Sequence, residues 1–357
     1  MFSENIARQR LYNQHIACTI DGTPADIVRQ MGFVQAQDYL GALWAVGLRV
    51  PRATQADIEQ ALADRSIVRT WPARGTLHFV AAEDVRWILE LLTPRMVARS
   101  AGRHRQLDLD QATFTRSGEL FVQALQGGKQ LPRDAMYQVL EAGHISTAGQ
   151  RGIHILGRLA QEGLLCFGAR DGKQQTFALL AEWVPHSKTL ERDQALAELT
   201  RRYFKSHGPA TLQDFVWWSG LTTSDARAGL EMAKPHLVQE VINGQAGWLS
   251  PSMPPAKETS PSAYLLPAFD EYLIAYKDRS AVLDATYVKQ TNAGGGMLSP
   301  TIVIDGQVAG TWKRTLKKGS VVIQPAWFTQ PTNDQQAAFS KAAHQYGAFL
   351  GLPVVLA

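Results

Sequence analysis

One order of local structure signals recurs three times along this chain of 357 residues. Each copy reads as a helix, a turn, a second helix and a β-hairpin. The middle copy shows the order most clearly, since Ile153, Leu156 and Leu159 follow helical spacing and two β-rich runs, 164–167 and 176–180, come after them. This is the order of a winged helix-turn-helix unit, and a threefold recurrence constrains the fold more than any single segment does.

The other two copies have their own start and stop signals. In the third, Thr211 is suited to N-cap a helix that Gly220 ends, and Asn243-Gly244 predicts a two-residue hairpin turn between runs 237–242 and 247–249. The first copy has helical patterns and a hairpin, predicted over residues 24–31, 39–47, 54–63, 67–71 and 76–80. We therefore predict three winged units in tandem.

The last hundred or so residues follow a different pattern. A Pro/Ser-rich linker is predicted over 250–262, followed by short β-like runs and a closing helix over about 333–349. This part predicts a small sheet or barrel that braces the winged units. The expected fold class is α+β, with domains at 1–100 (first winged unit and a linking helix), 101–185, 186–250 and 251–357 (the β-rich scaffold).

Composition excludes several classes of protein. The longest apolar stretch, 40–48, is far shorter than the ~20 residues of a membrane span, and no secretory signal is visible. The two cysteines form no CxxC, and the nine histidines form no HxxxH or HExxH. We expect a cytoplasmic protein with no metal and no cofactor.

Basic residues are clustered, although the net charge is only +4. The clusters lie around residues 65–74, 95–105 and 313–318. They are compatible with a surface that follows phosphates, or equally with solvated helix ends and wing tips.

The segment 32–38 (GFVQAQD) is the most informative for function. Gly32 is suited to end one helix and Asp38 to cap the next, which predicts an extended chain between them. Residues two apart share a face of an extended chain, so Gln35 and Gln37 are expected to point the same way. Two adjacent amides could orient a water, contact a sugar or hold a base edge; alternatively, they could satisfy loop backbone.

The chain resembles the AlkZ-type alkylpurine DNA glycosylases, a family of winged-helix DNA-binding proteins. Gln35-Ala36-Gln37 matches the family's glutamine–hydrophobic–glutamine motif. Further similar segments are 69–78 (RTWPARGTLH), 202–211 (RYFKSHGPAT), 269–279 (FDEYLIAYKDR) and 294–297 (GGGM). The resemblance extends over essentially the whole chain.

The resemblance implies a fold and an activity. The fold is three winged helices around a C-shaped basic channel, with a β-rich scaffold. The activity is hydrolysis of the N-glycosidic bond of cationic alkylated purines in duplex DNA, and in some members the unhooking of interstrand crosslinks. Gln35 and Gln37 would be the catalytic residues, and Gln37 places the chain in the glutamine branch rather than in the sister branch with Asp. We expect a monomeric, monofunctional enzyme without lyase activity, associated with the nucleoid.

Several other residues are candidates for contacts with DNA. Those expected to bind phosphates or substrate are Arg69, Arg74, His78, Arg99, Arg103 and Arg105. His78 could instead be a satisfied histidine at a domain junction. The hairpin formed by Gly294, Gly295, Gly296 and Met297 could probe a DNA groove, or be a disordered tip.

Two alternatives to this reading remain open. A non-catalytic winged-helix protein could bind DNA as a regulator or architectural factor. An acid–base pair of Asp270 and Glu271 could hydrolyse another N-glycoside, although Lys277 and Arg279 nearby favour an ion-pair network. The adjacent Trp217 and Trp218 are expected in the core.

Overall fold

A computed structural model describes residues 2–19, 21–242, 244–251 and 261–357. The predicted turn residue Asn243 lies outside the described residues, as does most of the predicted linker. The described chain is a mixed α+β structure with several small sheets, which confirms the predicted class.

The first winged unit contains seven elements. They are α1 (Phe2–Asn13), α2 (Pro24–Met31), β1 (Val34–Gln35), α3 (Tyr39–Gly47), α4 (Gln55–Ala63), β2 (Ile67–Ala73) and β3 (Thr76–Ala81). The three strands form an antiparallel sheet in the order β1-β3-β2. Thr23 and Thr54 each close a capping box, at α2 and α4, which fixes where these helices begin.

The second unit follows a long connecting helix. Its elements are α5 (Val85–Gln106), α6 (Gln111–Leu125), β4 (Leu131–Pro132), α7 (Arg133–Ala142), α8 (Arg151–Gln161), β5 (Leu165–Phe167), β6 (Thr176–Leu179) and α9 (Leu180–Trp183). The sheet order is β4-β6-β5.

The third unit has the same plan. It comprises α10 (Arg192–His207), β7 (Ala210–Thr211), α11 (Leu212–Ser219), α12 (Thr223–Ala233), β8 (Val238–Ile242) and β9 (Gln245–Leu249), with the sheet order β7-β9-β8. In all three units a two-residue strand precedes two helices and a hairpin, and pairs with the hairpin's second strand. The three predicted winged units are confirmed; the short strand was not predicted, because two residues give no periodicity.

The first unit departs from this shared plan at one point. In the second and third units the helix begins directly after the short strand, at Arg133 and Leu212. In the first unit three residues, 36–38, separate β1 from α3. The second half of the glutamine motif lies on this extra segment.

The scaffold is an open sheet. Its elements are β10 (Ala263–Leu266), α13 (Glu271–Ile274), β11 (Asn292–Gly294), β12 (Met297–Leu298), β13 (Thr301–Ile304), β14 (Gln307–Lys317), β15 (Ser320–Trp327), α14 (Asn333–Leu350) and β16 (Val354–Leu356). The order is β10-β13-β14-β15-β16. Among the described residues β10 and β16 each pair with one strand only, so the sheet does not close. Of the two predictions for the scaffold, the small sheet is confirmed and the barrel was wrong.

The scaffold and the first unit share one hydrophobic core. Trp44 of α3 is buried and donates from its indole Nε1 to the carbonyl oxygen of Leu265 at 2.7 Å. A Cβ on Gly47 would lie 2.3 Å from the ring of Phe349, so only glycine permits this approach of α14 to α3. In the part of the chain that the structure describes, no helix is long and apolar enough to cross a bilayer.

A buried ion pair joins the same two parts. The guanidinium of Arg49 donates to both carboxylate oxygens of Asp270, at 2.8 and 2.9 Å, and also to the backbone and side chain of Gln14. Both charged side chains are almost completely buried. Lys277 and Arg279 were expected to pair with Asp270, and this was wrong. The partner of Asp270 is Arg49, which lies 221 positions away in the chain.

We expect Asp270→Asn to destabilise the protein by about 3–5 kcal/mol, because it leaves the Arg49 charge buried without its partner. Urea denaturation followed by circular dichroism would measure this loss. The control is Asp334→Asn at an exposed position, for which we expect a change within about 0.5 kcal/mol. A loss below about 1 kcal/mol for Asp270→Asn would show that the pair contributes little.

Candidate active site

The motif Gln35-Ala36-Gln37 lies on β1 and the segment after it. Helix α2 ends at Gly32, whose φ of 84° is accessible to glycine, and the chain then pairs with β3, Gln35 opposite His78. Burial alternates: Val34 and Ala36 are buried, whereas Gln35 is half-buried and Gln37 exposed. The segment is therefore extended, with the two amides on the outer face. Asp38 occupies the N-cap position of α3 but makes no capping hydrogen bond.

Arg69 fixes the backbone between the two glutamines. Its Nε and Nη2 donate to the carbonyl oxygen of Ala36 at 3.1 and 2.8 Å. The guanidinium lies over the rings of Tyr39 and Phe167, and burial lowers the pKa of Arg69 to about 10, so it remains protonated at neutral pH. Arg69 was expected at phosphates; the structure instead uses it to hold the motif.

The orientation of each glutamine amide follows from its partner. The backbone N–H of Leu77 donates to Oε1 of Gln37 at 3.2 Å, and Nη2 of Arg74 donates to Oε1 of Gln35 at 3.4 Å. Both partners can only donate, so the oxygen must face them. Neither Nε2 has a hydrogen-bond partner among the described residues. Each amide thus presents an N–H₂ donor and one spare lone pair outward.

Arg74 and His78 form the inner support of Gln35. The guanidinium of Arg74 donates to the carbonyl oxygen of Trp218, and Nη2 lies 3.3 Å from Nε2 of His78. Nδ1 of His78 contacts the carbonyl oxygen of Thr76 at 2.9 Å, so it carries the proton and Nε2 accepts from Arg74. Burial, and then the charge of Arg74, holds the pKa of His78 well below its usual value.

These contacts correct two expectations. Arg74 and His78 were expected to face DNA from the wing, but His78 is completely buried and Arg74 is turned toward the third unit. The alternative for His78, a satisfied histidine at a junction between units, matches its contacts.

A buried carboxylate lies behind the motif. Oε1 of Glu271 accepts from the backbone N–H of Gln35 at 2.9 Å, and Oε2 accepts from Nε1 of Trp218 at 3.0 Å. Nε2 of His207 is 3.8 Å from Oε2. Burial alone would raise the pKa of Glu271, but His207, Arg74 and the Gln35 N–H more than offset it and hold the pKa below its ordinary value.

No local pattern predicts this contact between Glu271 and the motif. Glu271 was considered as an acid–base residue or as part of an ion-pair network with Lys277 and Arg279. Among the described residues it forms no ion pair with either of them and lies 3.8 Å from Nε2 of His207 instead. It lies 236 positions from Gln35, and no spacing rule connects them.

Aromatic rings fill the space around this carboxylate. Phe33 and Trp218 stack at 4.0 Å between ring centroids, with His78 edge-on to Phe33. Trp218 is in the core as expected, whereas Trp217 is 48% exposed, so that half of the expectation was wrong.

The remaining candidates for DNA contact are on the surface. Arg99, Arg103 and Arg105 are exposed on the last turns of α5, and none belongs to an ion pair among the described residues. Arg103 donates to the side chain of Gln150 at 2.9 Å. This stretch retains the charge that phosphate contacts need.

The glycine-rich segment forms an exposed hairpin. Gly294, Gly295 and Gly296 all have positive φ, and Met297, 47% exposed, lies beside them on β12. A groove-probing role stays a prediction. Over the described residues no group of three or more His, Cys, Asp or Glu side chains is placed to hold a metal ion.

Comparisons with known proteins agree on one family. A family model described as DNA glycosylase AlkZ-like matches residues 28–349. An interstrand DNA cross-link repair glycosylase of Streptomyces sahachiroi is 27% identical over 329 residues, covering 85% of each chain. The solved structure of the Streptomyces sahachiroi DNA glycosylase AlkZ aligns with a TM-score of 0.81 at 23% identity, covering 99% of both chains, which shows the same fold.

The depressed pKa of Glu271 predicts a pH-dependent contribution to stability. A carboxyl whose pKa is lower in the folded state stabilises above its unfolded pKa of about 4.5 and loses that contribution as the pH falls. We therefore expect wild type to be more stable than Glu271→Gln by about 1–3 kcal/mol at pH 7, with the difference shrinking below about pH 4.

Urea denaturation of both proteins at pH 7, 5, 4 and 3 would measure this difference. Glu119→Gln is the matched control, since Glu119 pairs with Arg116 on the surface. A difference between wild type and Glu271→Gln that stays constant over the whole range would contradict the prediction.

Proposed function

The chain belongs to the AlkZ-like DNA glycosylase family, and on that premise we propose that it hydrolyses the N-glycosidic bond of cationic, N7-alkylated purines in duplex DNA. The observation that carries this proposal is the outward presentation of two fixed amides, Gln35 and Gln37, on one extended segment. Crosslinks joined through the same purine position belong to this substrate class. The enzyme acts as a monomer.

The leaving group needs little help from the protein. An N7-alkylated guanine already carries a positive charge, so the base departs as a neutral species without protonation by an enzyme acid. What remains is to place a water against the oxocarbenium-like sugar. Holding that water in position lowers the barrier through proximity and orientation.

Each motif amide can take part in holding the water. One Nε2 donates to the water oxygen and an Oε1 lone pair accepts a hydrogen bond from the water, so that the second lone pair of the water faces the anomeric carbon of the sugar. Once the water has added to that carbon, its proton passes to solvent. The two amides are fixed from behind by Arg74 and by the backbone of Leu77, so little reorganisation is needed when substrate binds. Gln35 and Gln37 thus orient the nucleophile, and Arg74 positions Gln35.

The buried carboxylate has a different role. Glu271 is inaccessible, and both of its oxygens accept from the protein, so it does not reach the sugar. Its charge offsets that of Arg74, which would otherwise disfavour a positive sugar nearby. No amine nucleophile is required in this mechanism.

Removing either amide should abolish excision. We expect Gln35→Ala and Gln37→Ala to lower the single-turnover rate on duplex DNA containing 7-methylguanine by at least about 100-fold, with DNA binding retained. Alkaline cleavage of the abasic product measures the rate. Gln336→Ala, at an exposed glutamine of α14, should keep the wild-type rate.

The opposite result would change the assignment. Intact DNA with all proteins, together with salt-sensitive binding, would favour a non-catalytic DNA-binding protein. Excision that survives both glutamine changes would refute their catalytic role.

The mechanism also limits the range of lesions. A neutral base such as hypoxanthine leaves poorly without protonation, so we expect it to remain in DNA under conditions that release 7-methylguanine. Borohydride should trap no covalent adduct, because no lysine or terminal amine attacks the sugar; a bifunctional glycosylase serves as the positive control. Hypoxanthine release at a comparable rate, or a trapped adduct, would refute this mechanism.

A further inference from the structure

A cavity of about 570 Å³ opens beside the motif, between the first and second winged units. We call it the inter-wing cavity. It is lined by residues of both wings, of α7 and of α8, including Gln37, Trp71, Leu77, Arg133, Ile153 and Phe167. Its volume lies within the ~300–1,000 Å³ typical of sites for small molecules, which is far more than a methyl substituent needs.

The inner wall of the cavity is apolar and ordered. Trp71 is half-buried, and its ring centroid lies 5.0 Å from that of Phe167, which in turn packs on Phe177 at 4.7 Å. This backing fixes the indole while part of it still lines the cavity. Leu77, on the neighbouring strand, continues the apolar wall.

The outer wall includes a partly exposed apolar side chain. Ile153 on α8 is 39% exposed, although the face of that helix around Ile155 and Leu156 is fully buried. An exposed isoleucine in a cavity mouth suits an apolar ligand group. Polar side chains, Gln174 and Gln175 of the second wing and Arg133 of α7, surround it and could contact polar atoms.

We propose that the inter-wing cavity binds the N7 substituent of the leaving purine, and that it accepts planar or apolar groups much larger than methyl. This inference rests on the proposed function. Gln37 borders the cavity, and N7 belongs to the same purine as the bond to be broken, so a substituent there is within reach.

The cavity therefore makes Trp71 and Ile153 specificity-determining residues. They contact the substituent and not the sugar, so they affect large lesions without affecting the reaction at a small one. A second cavity of about 410 Å³ shares the lining residues Arg69, Phe167 and Gln175 with the first.

Excision of two lesions tests the assignment. Single-turnover rates are measured on duplexes with 7-methylguanine or 7-benzylguanine. Trp71→Ala removes the aromatic wall. Ile153→Trp fills the mouth of the cavity; because residue 153 is partly exposed, this substitution should not disturb folding. We expect both variants to slow release of 7-benzylguanine by about tenfold or more. Release of 7-methylguanine should change less than threefold, and Trp217→Ala, another partly exposed tryptophan, should alter neither rate.

Binding of the free base provides a readout that needs no catalysis. Free 7-benzylguanine should quench tryptophan fluorescence of wild type saturably, with weaker affinity for Trp71→Ala and Ile153→Trp. If wild type cleaves neither duplex but shows this binding, the proposed function fails and the cavity assignment stands.

The reverse outcome is equally informative. Suppose that wild type cleaves both duplexes and the free base does not bind. If the two variants then change the rates for the two lesions equally, or change neither, the cavity assignment is overturned and the proposed function stands. Absence of both cleavage and binding would refute both.

Discussion

Two consecutive carboxylates at the start of α13, Asp270 and Glu271, connect the scaffold to the winged units. Asp270 is neutralised by Arg49, which ties the scaffold to the first unit. Glu271 accepts from the Gln35 backbone on one side and from Trp218 on the other, and so joins the scaffold to the first and third units at one buried point. The position of β1, and with it the position of the two amides, depends on these contacts. Because an unpaired buried charge is costly, the arrangement has few alternatives.

The arginines nearest the motif, Arg69 and Arg74, donate to protein groups. Arg69 donates to the carbonyl oxygen of Ala36, and Arg74 donates to Oε1 of Gln35 and to the carbonyl oxygen of Trp218. Because Arg74 and the backbone N–H of Leu77 occupy the two glutamine oxygens, the N–H₂ groups face outward. Under the proposed function, neutral side chains beside the reacting sugar suit a cationic substrate, because an exposed guanidinium there would repel it. The same proposal leaves phosphate binding to charges farther away, on α5.

Local signals in the sequence predicted the helix pair and hairpin of each winged unit, the closing helix and the alternation of Gln35 and Gln37, because these depend on neighbours a few residues apart. Periodicity and turn signals missed the two-residue strands. They also left the choice between sheet and barrel open, since the edge strand β16 joins the sheet from far along the chain. They placed Arg69, Arg74 and His78 outside, because an arginine or histidine in a wing is usually solvated. Arg74 is turned inward by the carbonyl oxygen of Trp218, which lies 144 positions away in the third unit. Arg69 and His78 have their partners inside the first unit, at Ala36 for Arg69 and at Thr76 and Arg74 for His78.

The 236 positions between Gln35 and Glu271 have a consequence for synthesis of the protein. At roughly 5–20 residues per second, the ribosome delivers the glutamine motif on the order of ten seconds or more before the carboxylate that anchors it. Strand β16 follows later still. A nascent chain can form its second and third units during translation, but the contact between Gln35 and Glu271 forms only after residue 271 has been synthesised.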